Sequence, residues 1–160
     1  KGPAQLEAIL SEIRIMIAGL AVGLSRSAFE EGLRYARERK AFGRTIGNFQ
    51  LIQDKIAQME MRIEASRLLA YQAAWLKDRG HKASKEAAAA KLFATETASY
   101  VTDQVTRIFG SYGIAEEYAA ERLYRDARFL LYGGGTSEIL TTLIARECLE
   151  GEGKKVGSGL

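Results

Sequence analysis

"RYARERKAFGRTIGNFQLIQDKIAQM", which runs from Arg34 to Met59, joins two long helical patterns through one short connection. The first pattern should continue to about Arg39 and stop at Gly43, because glycine favours the backbone turn that ends a helix. The second pattern begins at about Phe49 and should end near Gly80. Helices of this length are each roughly 45–50 Å long, and a short connection packs them antiparallel as in a helix bundle.

Large apolar residues recur every three or four positions along both patterns, which is the spacing of one helix face. We expect each stripe to face the core of the bundle. The stripes are Leu6, Ile9, Ile13, Met16, Leu20 and Leu24 in the first helix, and Phe49, Ile52, Ile56, Met59, Ile63, Leu69, Ala73 and Leu76 in the second.

Three further helices are predicted downstream. The third begins after Ser84, a candidate N-cap, and stops at Gly110. A short helix covers about residues 116–127, the last helix covers about residues 136–150, and the Gly- and Lys-rich residues 151–160 should be disordered. No segment alternates with period two, so we expect no strand. The predicted fold class is all-α: an up-and-down four-helix bundle with an additional short helix.

Composition excludes several classes of protein. The 160 residues carry a net charge of +3, with basic and acidic residues interspersed, so we expect no nucleic-acid partner. No uninterrupted apolar run approaches the roughly 20 residues of a membrane span, and no signal peptide is expected. The single Cys148 cannot form an internal disulfide, which predicts a reducing compartment and a cytoplasmic location. No ligand spacing such as CxxC is present, so we predict no metal.

Oligomerisation is expected from the helix surfaces. Helices this long in so small a domain expose much lateral area, and the Ala-rich third helix allows close approach on more than one side. We therefore expect a homo-oligomer, or docking against another domain.

Three glycine turns lie beside helix ends: "RKAFG" from Arg39, "FGSYG" from Phe109 and "GGGTSE" from Gly133. Free N–H groups at a helix start, bared by glycine, can bind a phosphate-bearing ligand. A plain helix cap or a tight connection explains each turn equally well when it is taken alone.

In combination, the motifs resemble the C-terminal helical domain of the acyl-CoA dehydrogenases, flavoproteins that oxidise acyl-CoA thioesters. The motifs are "RYARERKAFGRTIGNFQLIQDKIAQM", "RIFGSYGI", "AERLYRDARFLLYGGGTSEIL" and "IAR". The resemblance implies that residues 1–150 are this domain and that the family's N-terminal and middle domains are absent from the chain. It also implies FAD held between subunits of a dimer within a tetramer, an acyl-CoA substrate, and electron-transfer flavoprotein or a similar acceptor as partner.

The same resemblance implies the site residues. Those implied for FAD are Arg39, Phe42, Gln50, Arg107, Gly110, Ser111, Thr136 and Glu138, and those implied for the acyl-CoA are Arg14, Gly133, Gly134 and Gly135. Arg39 would reach the diphosphate of the neighbouring subunit's FAD, which suits the planar fork of a guanidinium. The chain departs from the family at Arg107, which is usually Gln, and at Ser111, which is usually Gly.

The usual catalytic carboxylate is missing from the sequence. Most members place a Glu where this chain has Gly134, and two branches place it where this chain has Ile13. Glu12 is the nearest alternative, although it lies about 100° around the helix from Ile13. Three possibilities therefore stay open for the intact protein. The first is an acyl-CoA dehydrogenase. The second is a family member without the base, which would reduce enoyl-CoA, catalyse an elimination or pair with a homologous subunit that carries the Glu. The third is a flavin-free helical scaffold.

Overall fold

A computed structural model describes residues 2–153 of the chain, and these residues form five α-helices. The helices are α1 (Gly2–Glu38), α2 (Gln50–Asp78), α3 (Ser84–Phe109), α4 (Ala119–Leu130) and α5 (Ser137–Gly153). The central helix α3 packs against each of the other four. The all-α bundle predicted from the sequence is confirmed, and α5 extends three residues beyond its predicted end. The rest of the predicted disordered tail lies outside the described residues.

The expectation that the chain contains no strand was wrong at one place. Lys40–Ala41 (β1) and Arg44–Thr45 (β2) pair as a short antiparallel hairpin after α1. The two turn residues have positive φ, 51° at Phe42 and 78° at Gly43, as tight hairpin turns require. Strands of two residues are too short to show an alternating pattern, so this hairpin left no signal in the sequence.

The predicted core face of α1 was also wrong. Large members of its apolar stripe are exposed, among them Met16 at 67% and Leu20 at 60%. The face turned towards the bundle is made of small side chains: Ser11, Ala18, Ala21, Ser25, Ala28 and Ala36, together with Arg14. Small residues let α1 approach the Ala-rich α3 closely, so close packing of the helices replaces insertion of large side chains.

Buried hydroxyl groups on α1 are satisfied within the helix itself. The Ser11 hydroxyl donates to the Glu7 carbonyl at 2.9 Å, and the Ser25 hydroxyl donates to the Ala21 carbonyl at 2.7 Å. Polar residues on the inner face therefore cost little, because each hydroxyl keeps a hydrogen-bond partner. On α2 the predicted stripe does supply core side chains, with Met59 and Ile63 buried.

The exposed apolar residues of α1 give this helix an unusual surface. Between Gln5 and Glu38 it is long enough to span a membrane, and an 18-residue window within it has a mean hydropathy of 1.7, although no uninterrupted apolar run of that length is present. Core helices of soluble proteins meet the same criterion, and α1 carries the buried charge of Arg14 on its inner face. Its outer face is an apolar surface of the kind that marks docking sites.

The third helix does not begin as predicted. Ser84 is the first residue of α3, and the preceding Ala83 has a φ of 51° in the left-handed region. The Ser84 hydroxyl is buried and, among the described residues, has no hydrogen-bond partner. Ser84 therefore does not act as the N-cap.

Candidate cofactor and substrate site

The hairpin end of the bundle holds the first group of candidate residues. Arg39 directly follows α1, and its backbone is fixed by bonds from its N–H to the Tyr35 carbonyl at 2.9 Å and from the Ile46 N–H to its own carbonyl at 2.8 Å. Its exposed guanidinium lies 5.9 Å from the centre of the Tyr112 ring. Among the described residues it forms no ion pair, so its charge is available to an anion.

A groove of about 750 Å³ lies beside the hairpin. Phe42 is 95% exposed at its edge, and the Arg44 guanidinium lies 4.1 Å from the centre of the Phe49 ring. Gln50, the first residue of α2, lines the groove next to helix N–H groups that no side chain caps. Aromatic walls beside cationic groups and a helix start suit a planar ring that carries phosphate.

The turn after α3 brings Gly110 and Ser111 to the same end of the bundle. Gly110 has a φ of 64°, which favours glycine, and Ser111 is exposed. Arg107 donates to the Asp103 carboxylate at 2.8 Å, and this hydrogen bond raises the pKa of Arg107. The charge that distinguishes Arg107 from the family's usual Gln is thus balanced within α3.

The glycine loop, Gly133–Gly135, forms a second site between α4 and α5. The buried Arg14, 4% exposed, donates from Nε to the Gly134 carbonyl at 3.2 Å and from Nη1 to the Glu7 carboxylate at 3.3 Å. A Cβ built on Gly134 would lie 3.6 Å from Ile13 Cγ2. The fold therefore brings together the two positions at which the resemblance implies a carboxylate, and neither carries one.

Lys91 is a buried residue of α3 that contacts this loop, and the sequence alone did not single it out. It is 0% exposed on α3, and its ammonium donates to the carbonyls of Leu131 at 2.9 Å and Gly135 at 2.7 Å. Burial away from water lowers the pKa of Lys91. The signal was present in "EAAAAKLFATE", where one lysine interrupts a run of small apolar residues.

The start of α5 borders this second site. The Leu140 N–H donates to the Thr136 carbonyl at 3.1 Å, which makes Thr136 the cap residue. The pKa of Glu138 is lowered first by its own backbone N–H and then by the Thr136 hydroxyl. The Ser137 hydroxyl donates to the Glu96 carboxylate at 2.6 Å and ties α5 to α3.

Glu12, the alternative carboxylate, lies apart from the loop contacts. Its side chain is 63% exposed and its carboxylate lies 3.5 Å from the Lys77 ammonium of α2. His81 and Cys148 are exposed. No group of three possible metal ligands occurs among residues 2–153 as far as they are described.

The two sites lie at different heights of the bundle. Glu38 follows Arg14 by 24 positions on α1, which is about 36 Å at 1.5 Å per residue. A single dinucleotide is shorter than this separation. The two candidate sites of one chain are therefore too far apart to contact one such molecule at once.

Known proteins share both this sequence and this fold. The family model for the acyl-CoA dehydrogenase C-terminal domain matches residues 1–149. Benzylmalonyl-CoA dehydrogenase of Aromatoleum aromaticum is 50% identical over 91% of this chain and 39% of its own length. 3-(Aryl)acrylate reductase of Clostridium sporogenes is 44% identical over 88% of this chain and 37% of its own length.

The solved structure of butyryl-CoA dehydrogenase from Megasphaera elsdenii has a TM-score of 0.88 at 36% identity, covering 91% of this chain and 38% of that one. This chain spans about two fifths of the length of the curated relatives it matches. The agreement of family model, sequence and fold confirms the resemblance that the motifs indicated. The chain belongs to the acyl-CoA dehydrogenase family and corresponds to its C-terminal domain.

Proposed function

We propose that this chain is the C-terminal domain of an FAD-dependent enzyme that introduces an α,β double bond into an acyl-CoA thioester. The observation that carries this proposal is the glycine loop, which the buried Arg14 of α1 and Lys91 of α3 hold beside Ile13 and Ile17. Such a loop offers bare backbone to a ligand at the start of α5. The N-terminal and middle domains of the family would complete the pocket, and residues 1–150 would supply one wall.

The residues at the hairpin end fit FAD. Arg39 and Arg44 offer guanidinium groups to a diphosphate, and Phe42 and Phe49 offer ring faces beside them. When bound, the flavin supplies a hydride acceptor for the β-carbon of the substrate. What this chain contributes is binding and orientation, through Arg39 and Gln50 at one end and Thr136 and Glu138 at the other.

The separation of the two sites supports a homo-oligomer. Because Arg39 and Thr136 of one chain are too far apart for one cofactor, each chain would contribute to two FAD molecules. A dimer or tetramer satisfies this arrangement. Electron-transfer flavoprotein or a similar protein would accept the electrons, and a cytoplasmic location agrees with the single unpaired cysteine.

The empty carboxylate positions favour a particular class of substrate within this function. A benzylmalonyl thioester, the substrate in the name of one relative, carries a carboxylate on its α-carbon. With such a 2-carboxyacyl-CoA, the bond from the α-carbon to the carboxylate breaks, CO₂ leaves, and the electron pair stays on the α-carbon as an enolate. That pair forms the double bond as the β-hydride departs, so no residue has to remove an α-proton. Gly134 and Ile13 are compatible with this chemistry, whereas removal of an α-proton needs a positioned base.

Reduction of an enoyl thioester is the competing function. The relative named 3-(aryl)acrylate reductase supports it, because it acts on an unsaturated acid rather than a saturated one. A flavin-free scaffold is a third possibility, and Arg39, Phe42, Gln50 and Thr136 all argue against it.

Flavin binding is tested with the full-length protein and its Arg39→Ala variant. We expect Arg39→Ala to weaken FAD binding by about 10- to 100-fold, since hydrogen bonds to charged groups contribute about 1.5–3 kcal/mol. Arg125→Ala is the matched control, because Arg125 is exposed and paired with Glu121 on α4. A colourless wild-type protein that takes up no FAD would support the scaffold instead.

Substrate class is tested by comparing benzylmalonyl-CoA with 3-phenylpropionyl-CoA, which lacks the α-carboxylate. We expect dye reduction with benzylmalonyl-CoA only, with one CO₂ released for each double bond formed. Equal turnover of 3-phenylpropionyl-CoA would show that a base is present elsewhere. If cinnamoyl-CoA oxidises the pre-reduced enzyme and neither benzylmalonyl-CoA nor 3-phenylpropionyl-CoA is dehydrogenated, the result would support the competing reductase function.

A further inference from the structure

Lys91 places a buried positive charge at the glycine loop without a carboxylate partner. Its side chain is completely buried, and among the described residues its ammonium forms no ion pair. Burying an ammonium is costly unless hydrogen bonds compensate for the lost water. Here two backbone carbonyls at the loop accept hydrogen bonds from the ammonium. Lys91 is therefore placed to contact this loop and does not only fill space in the core.

The two carbonyls stand at opposite ends of the loop. Leu131 directly follows α4, and Gly135 lies two residues before α5. Between them, Gly134 has a φ of 69°, and Gly135 itself has a φ of 115°. Glycine loses more conformational freedom than other residues when its backbone is fixed. One ammonium that contacts both ends therefore holds a segment that would otherwise sample many conformations.

Arg14 and Lys91 together set the direction of the loop's peptide groups. Arg14 Nε donates to the Gly134 carbonyl at 3.2 Å, and the Lys91 ammonium donates to the Gly135 carbonyl at 2.7 Å. In a trans peptide the C=O and the following N–H point in opposite directions. The N–H groups of Gly135 and Thr136 therefore point away from the two cations, and neither is bonded to another described backbone carbonyl.

We propose that Lys91 is a positioning residue, whose ammonium holds the glycine loop in the conformation that receives the acyl thioester. This role rests on the proposed function, since it assumes that the loop contacts the substrate. Lys91 itself lies behind the loop and acts through the backbone of residues 131–135. Glu96 lies five residues after Lys91 on α3, and its carboxylate accepts a hydrogen bond from the Ser137 hydroxyl. This second contact holds the start of α5 against α3.

The test uses the full-length, flavin-loaded protein with Lys91→Met, which keeps a long apolar side chain and removes the donors. Thr102→Val is the matched control, because Thr102 is buried on the same helix and its hydroxyl bonds only to carbonyls of α3. Hydrogen exchange of the two hydrogen-bonded amides that flank the glycine loop, Tyr132 and Leu140, is measured alongside kcat and KM. Lys91→Gln, which keeps a shorter donor, serves if Lys91→Met does not fold.

We expect Lys91→Met to accelerate exchange at these two amides by about 10- to 100-fold and to lower kcat/KM. Exchange in the middle of α3 should remain unchanged, and Thr102→Val should alter neither quantity. Exchange that rises throughout α3, or equally in both variants, would show a general structural role and overturn the proposal. The exchange measurement does not depend on turnover, so it remains decisive even if the proposed activity is wrong.

Discussion

The Nε of Arg14 lies 3.2 Å from the carbonyl oxygen of Gly134, joining residues that are 120 positions apart in the chain. This bond fixes the glycine loop against the turn of α1 that carries Ile13. The two positions at which the family resemblance implies a carboxylate are thus adjacent, with Ile13 Cγ2 3.6 Å from the place of a Gly134 Cβ. A carboxylate introduced at either position should serve the same substrate atom.

Ile13→Glu should restore a base more readily than Gly134→Glu. Ile13 has ordinary helical backbone, whereas Gly134 has a φ of 69° and a Cβ there would lie 3.0 Å from Ile17 Cδ1. A non-glycine residue in the left-handed region costs about 1–2 kcal/mol. We expect only Ile13→Glu to exchange the α-protons of 3-phenylpropionyl-CoA in D₂O without loss of melting temperature. Equal exchange by the wild-type protein would contradict the absence of a base.

Glu12→Gln should leave turnover unchanged, because the exposed Glu12 contacts Lys77 on α2 and surface ion pairs contribute about 0–1 kcal/mol. Glu7→Gln should have the larger effect on the same helix, because Glu7 is the charge partner of the buried Arg14. We expect Glu7→Gln to destabilise the protein by about 1–3 kcal/mol and to raise KM. Steady-state kinetics and thermal unfolding of both variants check this order. Loss of turnover in Glu12→Gln alone would instead identify Glu12 as the base.

Leu20→Glu should disrupt association without unfolding the bundle. Leu20 is 60% exposed on the apolar outer face of α1, whereas its neighbour Ala21 is completely buried against the other helices. We expect Leu20→Glu to keep its helical circular dichroism and to shift towards smaller species in light scattering. Ala21→Glu should unfold the protein, since an unpaired buried charge costs about 3 kcal/mol or more. A Leu20→Glu protein of wild-type size would exclude this face from the interface.

Glu138→Gln should reduce thermal stability at neutral pH and have less effect in acid. The folded-state pKa of Glu138 lies below its ordinary value of 4.5, first because of its own backbone N–H and then because of the Thr136 hydroxyl. The ionised carboxylate therefore stabilises the fold above pH 4.5, and the contribution disappears as the pH falls through the folded-state pKa. Melting temperatures of wild type and variant should converge there. Glu117→Gln, at an exposed turn, is the control for removing one surface charge.

Local patterns in the sequence were sufficient to predict the helices of the fold. The helices and their order follow from apolar spacing, and the ends near Gly80 and Gly110 follow from glycine's freedom to adopt positive φ. The first helix instead ends at Glu38, and Gly43 forms the hairpin turn that follows it. The errors arose where packing against another helix decides which side chains are buried. Met16 and Leu20 satisfy the spacing of a core stripe, but close packing of α1 on α3 requires small residues, so the alanines and serines of α1 face inwards.

The motifs likewise identified the family and the glycine loop, because glycine positions and helix starts are encoded locally. They did not reveal Lys91, because its role depends on carbonyl groups 40 and 44 positions away.

By itself, the sequence determined the helices, the family and the absence of the usual carboxylate, all of which are written in local residue order. Only the tertiary structure decided which face of α1 is buried, which cations hold the glycine loop, and how far the hairpin end lies from that loop. These depend on distances between residues remote in the chain, which are fixed by the packing of helices and not by spacing along any one of them.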